Sequence, residues 1–240
     1  MTEIIASLHG ADKKFFFNQV LTDINLNVKT GEIVGLIGPE ESGKTTCVRC
    51  LIGMEDLTGG EAYVLNEQMP KRKMLSNIGY MGQETAIYET MTAHENMVFF
   101  GKLKNLKGQE LRNEIDKNLK LVELHEAERK TVSKFSGDMK RRLSLAITLL
   151  GSPELIVLDE PEVWINPLLR LMVWSQLRTL ADEGAGIIVT AQGMSEVEKY
   201  DRVLLLNNGR IVAEGPPEAL MNEYKAASIE EVFINMEEIT

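Results

Sequence analysis

Apolar and polar positions follow two different rhythms along the chain. Residues 3–37 have the pattern of strands, because Ile24, Leu26 and Val28 alternate with polar residues. The run at 33–37 is continuously apolar. Such a run predicts a strand that is buried on both faces, as the strands of a parallel sheet are.

The middle of the chain changes to a helical pattern. From about residue 91 to residue 150 the sequence is rich in Lys and Glu, and Leu119, Val122 and Leu124 are its candidate apolar anchors. This stretch predicts a helical insertion.

Strand patterns return in the last third of the chain, at 155–158, 186–190 and 203–206. A helical stretch separates the first two of these runs, which is the βαβ rhythm of a parallel sheet. Asn208-Gly209 then stands between two apolar runs and predicts a hairpin turn. The predicted fold class is therefore α/β.

Composition narrows the class of protein. The chain has 240 residues, 44% of them hydrophobic and 26% charged, as in an ordinary globular protein. No apolar stretch approaches the roughly 20 residues that span a bilayer, and the first residues lack the pattern of a leader peptide. We therefore expect a water-soluble, cytoplasmic protein. Asp and Glu number 36 against 26 Lys and Arg, so we expect no nucleic-acid partner.

The two cysteines, Cys47 and Cys50, have a C-x-x-C spacing that permits a redox or metal pair. They lie on a predicted helix, and we favour the alternative that they pack in the interior. The three histidines show no metal-ligand spacing, so we expect no metal held by protein side chains alone.

The strongest chemical motif is a phosphate-binding loop. The sequence from Gly38 to Thr45 fits G-x-x-x-x-G-K-[ST] directly after a predicted buried strand and before a helix. In such a loop the backbone N–H groups surround phosphates, the lysine reaches the β- and γ-phosphates of a nucleotide, and the hydroxyl after it binds Mg²⁺. The predicted nucleotide-binding residues here are Gly38, Glu40, Glu41, Ser42, Gly43, Lys44, Thr45 and Thr46. Of these, we expect Glu40 and Glu41 to point to solvent.

A second motif, Asp159-Glu160-Pro161, follows the apolar run at 155–158. A carboxylate at the carboxyl edge of a buried strand can hold Mg²⁺, so Asp159 is a candidate metal ligand. Glu160 is the candidate catalytic residue, since it can orient or deprotonate the attacking water.

With both motifs present, the chain resembles the ATP-binding subunit of an ABC transporter, nearly from end to end. The closing segment 228–233 is similar to the tail of drug-exporter ATPases. The resemblance implies one ATP-binding domain over residues 1–240, built as a P-loop NTPase parallel sheet with an antiparallel β subdomain and an inserted helical subdomain at about 91–150. It also implies ATP and Mg²⁺ as cofactors.

The same resemblance implies further site residues. Phe15 resembles the aromatic residue that stacks on adenine, although it could instead be a core aromatic, and Phe16 or Phe17 could take its place. Gln83 resembles the Q-loop glutamine, which contacts Mg²⁺ and senses the membrane partner. Residues 135–139 are similar to the signature loop, whose Ser136 and Gly137 would bind the γ-phosphate held by a second subunit.

Several positions depart from the family pattern. They are Asp138 in place of a signature glycine, Glu162 in place of a threonine, Trp164 and Asn166 in place of the D-loop glycine and aspartate, and Gln192 in place of the switch histidine. Asp138 is favourable in the first turn of a helix behind a Ser136 cap. Across a dimer interface it would repel a triphosphate, by up to about 4 kcal/mol for charges about 4 Å apart at an effective dielectric of about 20. Gln192 is the second candidate catalytic residue. Its amide can hydrogen-bond the γ-phosphate but cannot carry a proton, so we expect slow hydrolysis.

The resulting prediction is an ATPase of the ABC transporter type that works with a separate membrane permease and, on binding ATP, with a second nucleotide-binding subunit. It would lie on the inner face of the cell membrane through the permease. The main alternative is a regulatory module that binds nucleotide with negligible turnover. A non-transport ABC protein acting on DNA or ribosomes is disfavoured by the acidic balance and by the absence of a basic patch.

Overall fold

A computed structural model describes residues 3–161, 167–193 and 196–237 of the chain. The chain divides into two compact units. The first unit comprises Met1–Lys71 and Gly186–Thr240, and the second comprises Arg72–Ala185.

The strands in the described residues are β1 (Ile4–Phe15), β2 (Asn18–Lys29), β3 (Ile33–Ile37), β4 (Gly59–Val64), β5 (Glu67–Gln68), β6 (Ile78–Met81), β7 (Leu155–Asp159), β8 (Gly186–Ala191), β9 (Arg202–Asn207) and β10 (Arg210–Gly215). The α-helices are α1 (Lys44–Leu51), α2 (Ala93–Leu103), α3 (Gly108–Leu121), α4 (Gly137–Thr148), α5 (Pro167–Asp182), α6 (Pro217–Glu223) and α7 (Ile229–Glu237). Short 3₁₀ turns, such as Val197–Lys199, join some of them.

The first unit contains an antiparallel sheet with the strand order β2-β1-β4-β5. The alternation that predicted β2 is observed, because Ile24, Leu26 and Val28 are all buried while Asn25 is exposed. Helix α1 packs against β1, β2 and β4 of this sheet.

The first unit also contains the predicted parallel pairing. Strand β3 pairs in parallel with β8 and with β9, and all five of its residues are buried. Strand β10 pairs antiparallel with β9 through the predicted turn, where Asn208 and Gly209 have φ of 45° and 72°. Two successive residues at positive φ are what a tight hairpin turn requires, and Asn-Gly supplies them at low cost. Strand β3 therefore lies between two parallel neighbours, β8 and β9.

The second unit combines a parallel strand pair, β6 and β7, with the helices α2, α3 and α4, which pack on one another. The predicted apolar anchors Leu119, Val122 and Leu124 are buried. Helix α2 begins with a capping box, in which Thr92 and Glu95 each bond the other's backbone N–H.

Lys104 caps the carboxyl end of α4. Its Nζ donates to the carbonyl oxygens of Thr148 at 3.1 Å and Leu150 at 2.9 Å, which satisfies groups that a helix leaves open at its carboxyl end. Burial lowers the pKa of Lys104 to about 8, against an opposing effect of Glu114.

Of the helices in the described part of the chain, none has the length and the apolar character that crossing a bilayer requires.

Candidate nucleotide-binding site

The predicted phosphate-binding loop connects β3 to α1, in the order that the motif requires. Gly38 passes so close to β9 that a Cβ added there would lie 2.1 Å from the carbonyl oxygen of Leu206. Gly43 has a φ of 103°, a conformation that L side chains rarely adopt. Both glycines are therefore required by the path of the loop.

Lys44 is folded back over this loop. Its Nζ donates to the carbonyl oxygens of Gly38 at 3.0 Å and Pro39 at 2.8 Å, and the side chain is only 4% exposed. The loop backbone thus holds the ammonium group at its own mouth, where a phosphate oxygen would meet it.

Ser42 belongs to the same phosphate-binding loop. The backbone of Ser42 is fixed by a bond from its N–H to Pro39 and by one from the Gly209 N–H to its carbonyl oxygen. Its hydroxyl, in contrast, is buried and has no hydrogen-bond partner among the described residues. A buried hydroxyl without a partner is costly, and a phosphate oxygen would satisfy it. The loop therefore fits a bound nucleotide phosphate.

The other predicted nucleotide-binding residues lie in this loop or at the start of α1. Glu40 and Glu41 are exposed, as expected, and Glu41 has a φ of 61°. Thr45 and Thr46 lie half-buried in the first turn of α1. The hydroxyl of Thr45 is of the ligand type that Mg²⁺ accepts.

Phe15 ends β1 as a partly exposed residue. The residue is 39% exposed, and Nζ of Lys13 lies over its ring, 4.4 Å from the centroid. Phe16 and Phe17 are 97% and 96% exposed. Phe15 still pairs with Asn18 at the end of β1, but its exposure shows that it is not a core aromatic. The partial exposure of Phe15 fits a stacking role on adenine, which stays a prediction.

Gln192 directly follows β8 and is exposed. It belongs to the first unit, as does the phosphate-binding loop.

The second unit places the acidic motif at the end of its buried strand. All of β7 is buried, including Asp159, which is fully inaccessible. Glu160 follows with a φ of 47°, and its carboxylate accepts a hydrogen bond from Gln83 Nε2 at 3.0 Å. Two of the residues predicted from the sequence, Gln83 and Glu160, are therefore brought into contact.

Arg141 is a residue that the sequence did not single out. Its guanidinium donates to three backbone carbonyl oxygens, those of Gly82 at 2.7 Å, Gln83 at 2.5 Å and Glu160 at 2.9 Å. It stands in the run Lys140-Arg141-Arg142, and nothing in the spacing of three basic residues distinguishes the middle one.

The signature-like loop begins α4. The Ser136 hydroxyl accepts from the Met139 N–H at 3.2 Å, which confirms the predicted helix cap. Gly137 is exposed, and nothing lies within 4 Å of the position that a Cβ would take. Both residues are thus accessible to a ligand from outside the chain.

Asp138 lies in the first turn of α4, as predicted, but it is paired. Its Oδ2 lies 2.9 Å from Nε of Arg142, four residues further along the helix. Arg142 also donates to the carbonyl oxygen of Val122 at 3.1 Å and lies 3.8 Å from a carboxylate oxygen of Glu123.

Three of the departures from the family pattern, Glu162, Trp164 and Asn166, lie outside the described residues.

The two cysteines are buried within α1, and the packing interpretation holds. Burial raises the pKa of Cys50 to about 11 and raises that of Cys47 further still. Both thiols are therefore protonated at neutral pH, which is unlike a reactive redox pair.

The comparison with protein families decides the assignment. The ABC transporter family model matches residues 21–163, more than half of the chain, and this range contains the phosphate-binding loop, Gln83, the signature-like loop and Asp159. This chain belongs to the ABC transporter family. The resemblance to an ATP-binding subunit of the drug-exporter type is thereby confirmed, and the chain is an ATPase of that type.

Curated relatives agree with the family. The chain is 34% identical over 236 residues to Nod factor export ATP-binding protein I of Rhizobium sp. (strain N33), covering 97% of this chain and 78% of that relative. It is 33% identical over 236 residues to ABC transporter G family member 20 of Dictyostelium discoideum, covering 98% of this chain and 32% of that longer protein.

Solved structures confirm the fold. One described as the ATP binding subunit of an ABC transporter has a TM-score of 0.91 at 22% identity and covers 97% of this chain and 99% of that chain. A dimeric bacterial ABC transporter cassette has a TM-score of 0.80 at 24% identity, covering 88% and 98%. The predicted P-loop NTPase fold, with its parallel and antiparallel sheets and its helices, is therefore correct.

Proposed function

We propose that this chain binds MgATP through the loop from Gly38 to Thr46 and couples binding and slow hydrolysis to transport through a separate membrane permease. The observation that carries the proposal is that one loop holds the Lys44 ammonium group on its own backbone and buries a Ser42 hydroxyl that has no hydrogen-bond partner among the described residues. A buried cation and a buried hydroxyl without a partner, on a loop that only glycines permit, are the features of a preformed anion site.

The remaining site residues receive roles that fit their chemistry. Thr45, Gln83 and Asp159 offer a hydroxyl, an amide oxygen and a carboxylate, which are oxygen donors that suit Mg²⁺. Gln83 donates its amide N–H to the Glu160 carboxylate, which ties this candidate metal ligand to the candidate catalytic residue. When bound, the cation would neutralise charge on the phosphate oxygens.

Glu160 is the residue we assign to the attacking water, which its carboxylate would orient or deprotonate. Gln192 would hydrogen-bond the γ-phosphate through its amide, and Phe15 would stack on adenine. Ser136 and Gly137 would contact the γ-phosphate of a nucleotide held by a second subunit. Their exposure at the amino end of α4 supports this, since that end of a helix favours anions.

A permease partner is supported by the relatives, since the Rhizobium protein is named as an ATP-binding protein of Nod factor export. A second nucleotide-binding subunit is supported by the dimeric bacterial cassette with the same fold. We therefore place the chain at the inner face of the cell membrane, bound there through its permease.

The alternative is a regulatory module that binds ATP without appreciable turnover. Gln192 favours it, because a neutral amide cannot take up or release a proton at the reacting phosphate. The two functions share nucleotide binding and differ only in hydrolysis.

Nucleotide binding is tested by calorimetric titration with MgATP. Lys44→Ala should weaken binding severely, since Lys44 is the cation held at the mouth of the loop. Lys29→Ala, which removes an exposed lysine of β2 in the same unit, serves as the control and should bind like the unmodified protein. Equal affinity for Lys44→Ala and the unmodified protein would remove the assignment of this loop.

Hydrolysis is tested by the steady-state ATPase rate, with Glu160→Gln as the blank. A rate above the blank supports the transport ATPase. A rate equal to the blank, together with intact MgATP binding, would instead support the regulatory module.

A further inference from the structure

Arg141 links the amino-terminal part of α4 to two loops of the second unit. It lies in the second turn of α4, five residues after Ser136. From there it reaches the carbonyl oxygens of Gly82 and Gln83 in the loop after β6, and that of Glu160 directly after β7. One side chain thus joins the signature helix to both loops that carry predicted site residues.

The geometry of these bonds uses what is particular to arginine. Its two terminal nitrogens bond different loops. Nη1 donates to the carbonyl oxygens of Gly82 and Gln83, and Nη2 donates to that of Glu160. A planar guanidinium holds its donors in a fixed fork, so the two loops are fixed relative to each other. A lysine could donate to the same oxygens but would not fix that angle.

Glu160 is the residue on which this fixation matters most. Its φ of 47° is uncommon for a residue other than glycine, so surrounding contacts must hold it there. Arg141 bonds its backbone carbonyl and Gln83 bonds its carboxylate, while Arg141 also bonds the backbone of Gln83. Main chain and side chain of Glu160 are therefore both held by a set of contacts in which Arg141 takes part.

We propose that Arg141 is a positioning residue that holds the Glu160 carboxylate and the Gln83 amide in their working arrangement and ties that arrangement to the signature helix. This rests on the proposed function, in which Glu160 acts on the attacking water. A movement of the helix start, where Ser136 and Gly137 would meet the second subunit's nucleotide, would reach Glu160 through Arg141.

The kinetic test compares Arg141→Gln with the unmodified full chain. We expect kcat for ATP hydrolysis to fall by about 10- to 100-fold, because displacement of a catalytic group by about 1 Å costs up to that much. The affinity for MgATP, measured by calorimetry, should stay within twofold, because Lys44 and the phosphate-binding loop are not altered. Arg141→Lys should recover part of kcat. The matched control, Lys140→Gln, removes the neighbouring cation, which pairs with Glu89, and should keep kcat.

A double variant tests whether Arg141 acts through Gln83. If it does, Arg141→Gln combined with Gln83→Ala should lose far less than the product of the two single losses. Fully multiplicative losses would overturn that part of the proposal. A parallel fall in kcat and in thermal stability, with no recovery in Arg141→Lys, would reduce Arg141 to a structural residue.

Amide hydrogen exchange tests the contact without turnover. Arg141→Gln should speed exchange at residues 82–84 and around 160, and leave residues 38–45 unchanged. Unchanged exchange in both of the first two segments would overturn the proposal. If the unmodified chain shows no hydrolysis above the Glu160→Gln blank, the ATPase part of the proposed function fails, and this measurement still decides what Arg141 holds.

Discussion

Asp138 and Arg142 lie one helical turn apart on α4 and form an ion pair, with 2.9 Å between Asp138 Oδ2 and Arg142 Nε. From the sequence alone, we expect the charge of Asp138 to repel a triphosphate across a dimer interface without any neighbouring cation to screen it. Arg142 is mostly buried and is held in place by the carbonyl oxygen of Val122, so its charge remains beside the carboxylate. The pair therefore reduces the repulsion that Asp138 would otherwise exert.

The first prediction separates the two charges. Arg142→Gln should lower the ATPase rate and the ATP-dependent dimerisation, because it leaves the Asp138 charge unpaired. Asp138→Asn should raise both, because it removes the charge and keeps the shape. Each change should amount to roughly fivefold or less, since an ion pair of this partly exposed kind contributes about 0.2–1 kcal/mol. The measurements are the steady-state rate and light scattering with MgATP.

The combined variant is the control for this first prediction. With Asp138→Asn and Arg142→Gln together no charge is left to screen, so the rate should match that of Asp138→Asn alone. A rate as low as that of Arg142→Gln would show that Arg142 acts through its bond to Val122 and not through Asp138.

The second prediction restores the family residues at two departures. Asp138→Gly with Gln192→His should raise turnover more than either change alone, because dimer closure and catalysis are successive requirements within one composite site of a homodimer. Asp138→Gly should also lower stability by about 1 kcal/mol or somewhat more, through the flexibility of glycine and the loss of the pair with Arg142. A double-mutant cycle on the ATPase rate checks the first effect and denaturant unfolding checks the second. No gain from the double restoration would place the limiting step elsewhere.

The third prediction concerns the thiols of Cys47 and Cys50. Both should react slowly with a thiol reagent at pH 8 in the folded protein and rapidly after unfolding, because they are buried and protonated. Raising the pH to 9 should add little, since both pKa values lie above that range. Mild oxidation should leave MgATP binding unchanged. Fast labelling of both thiols without denaturant would contradict the packing interpretation.

The fourth prediction uses Lys104, which closes the carboxyl end of α4. Lys104→Met should destabilise the protein by about 1–3 kcal/mol near pH 7, because the carbonyl oxygens of Thr148 and Leu150 lose their donor. The pKa of Lys104 is about 8 in the folded chain, below its value in the unfolded chain. Between about pH 8 and 10.5 the folded state releases this proton while the unfolded state keeps it, so stability rises with pH in that window.

The comparison that isolates Lys104 is a pair of urea unfolding curves at pH 7.5 and pH 9.5. The unmodified chain should gain stability relative to Lys104→Met as the pH rises. Lys120→Met, which removes an exposed lysine from α3, should keep pace with the unmodified chain. An unmodified chain that loses stability relative to Lys104→Met would reverse the assigned direction of the pKa.

The sequence by itself determined the features that depend on neighbouring residues. The strand, loop and helix around Lys44 and the Asn208-Gly209 turn were predicted correctly, as was the Ser136 cap. In each case the backbone conformation is fixed by residues within a few positions, through glycine at positive φ or a side chain that bonds its own helix. Burial of Leu119, Val122 and Leu124 was also predicted correctly, because the spacing of apolar residues along the chain indicates which of them face the core.

Only the tertiary structure decided the features that join distant parts of the chain. Arg141 lies nearly 60 residues from Gln83, and its bonds to Gly82, Gln83 and Glu160 exist because α4 packs beside β6. Likewise Lys104 meets the end of α4 across more than 40 residues. The sequence of a basic run on a helix does not show what each residue contacts. A member can face solvent, pair within one turn as Arg142 does with Asp138, or donate to a distant loop as Arg141 does. Which of these occurs depends on the carbonyl groups that packing brings within hydrogen-bond distance, and local sequence does not contain that information.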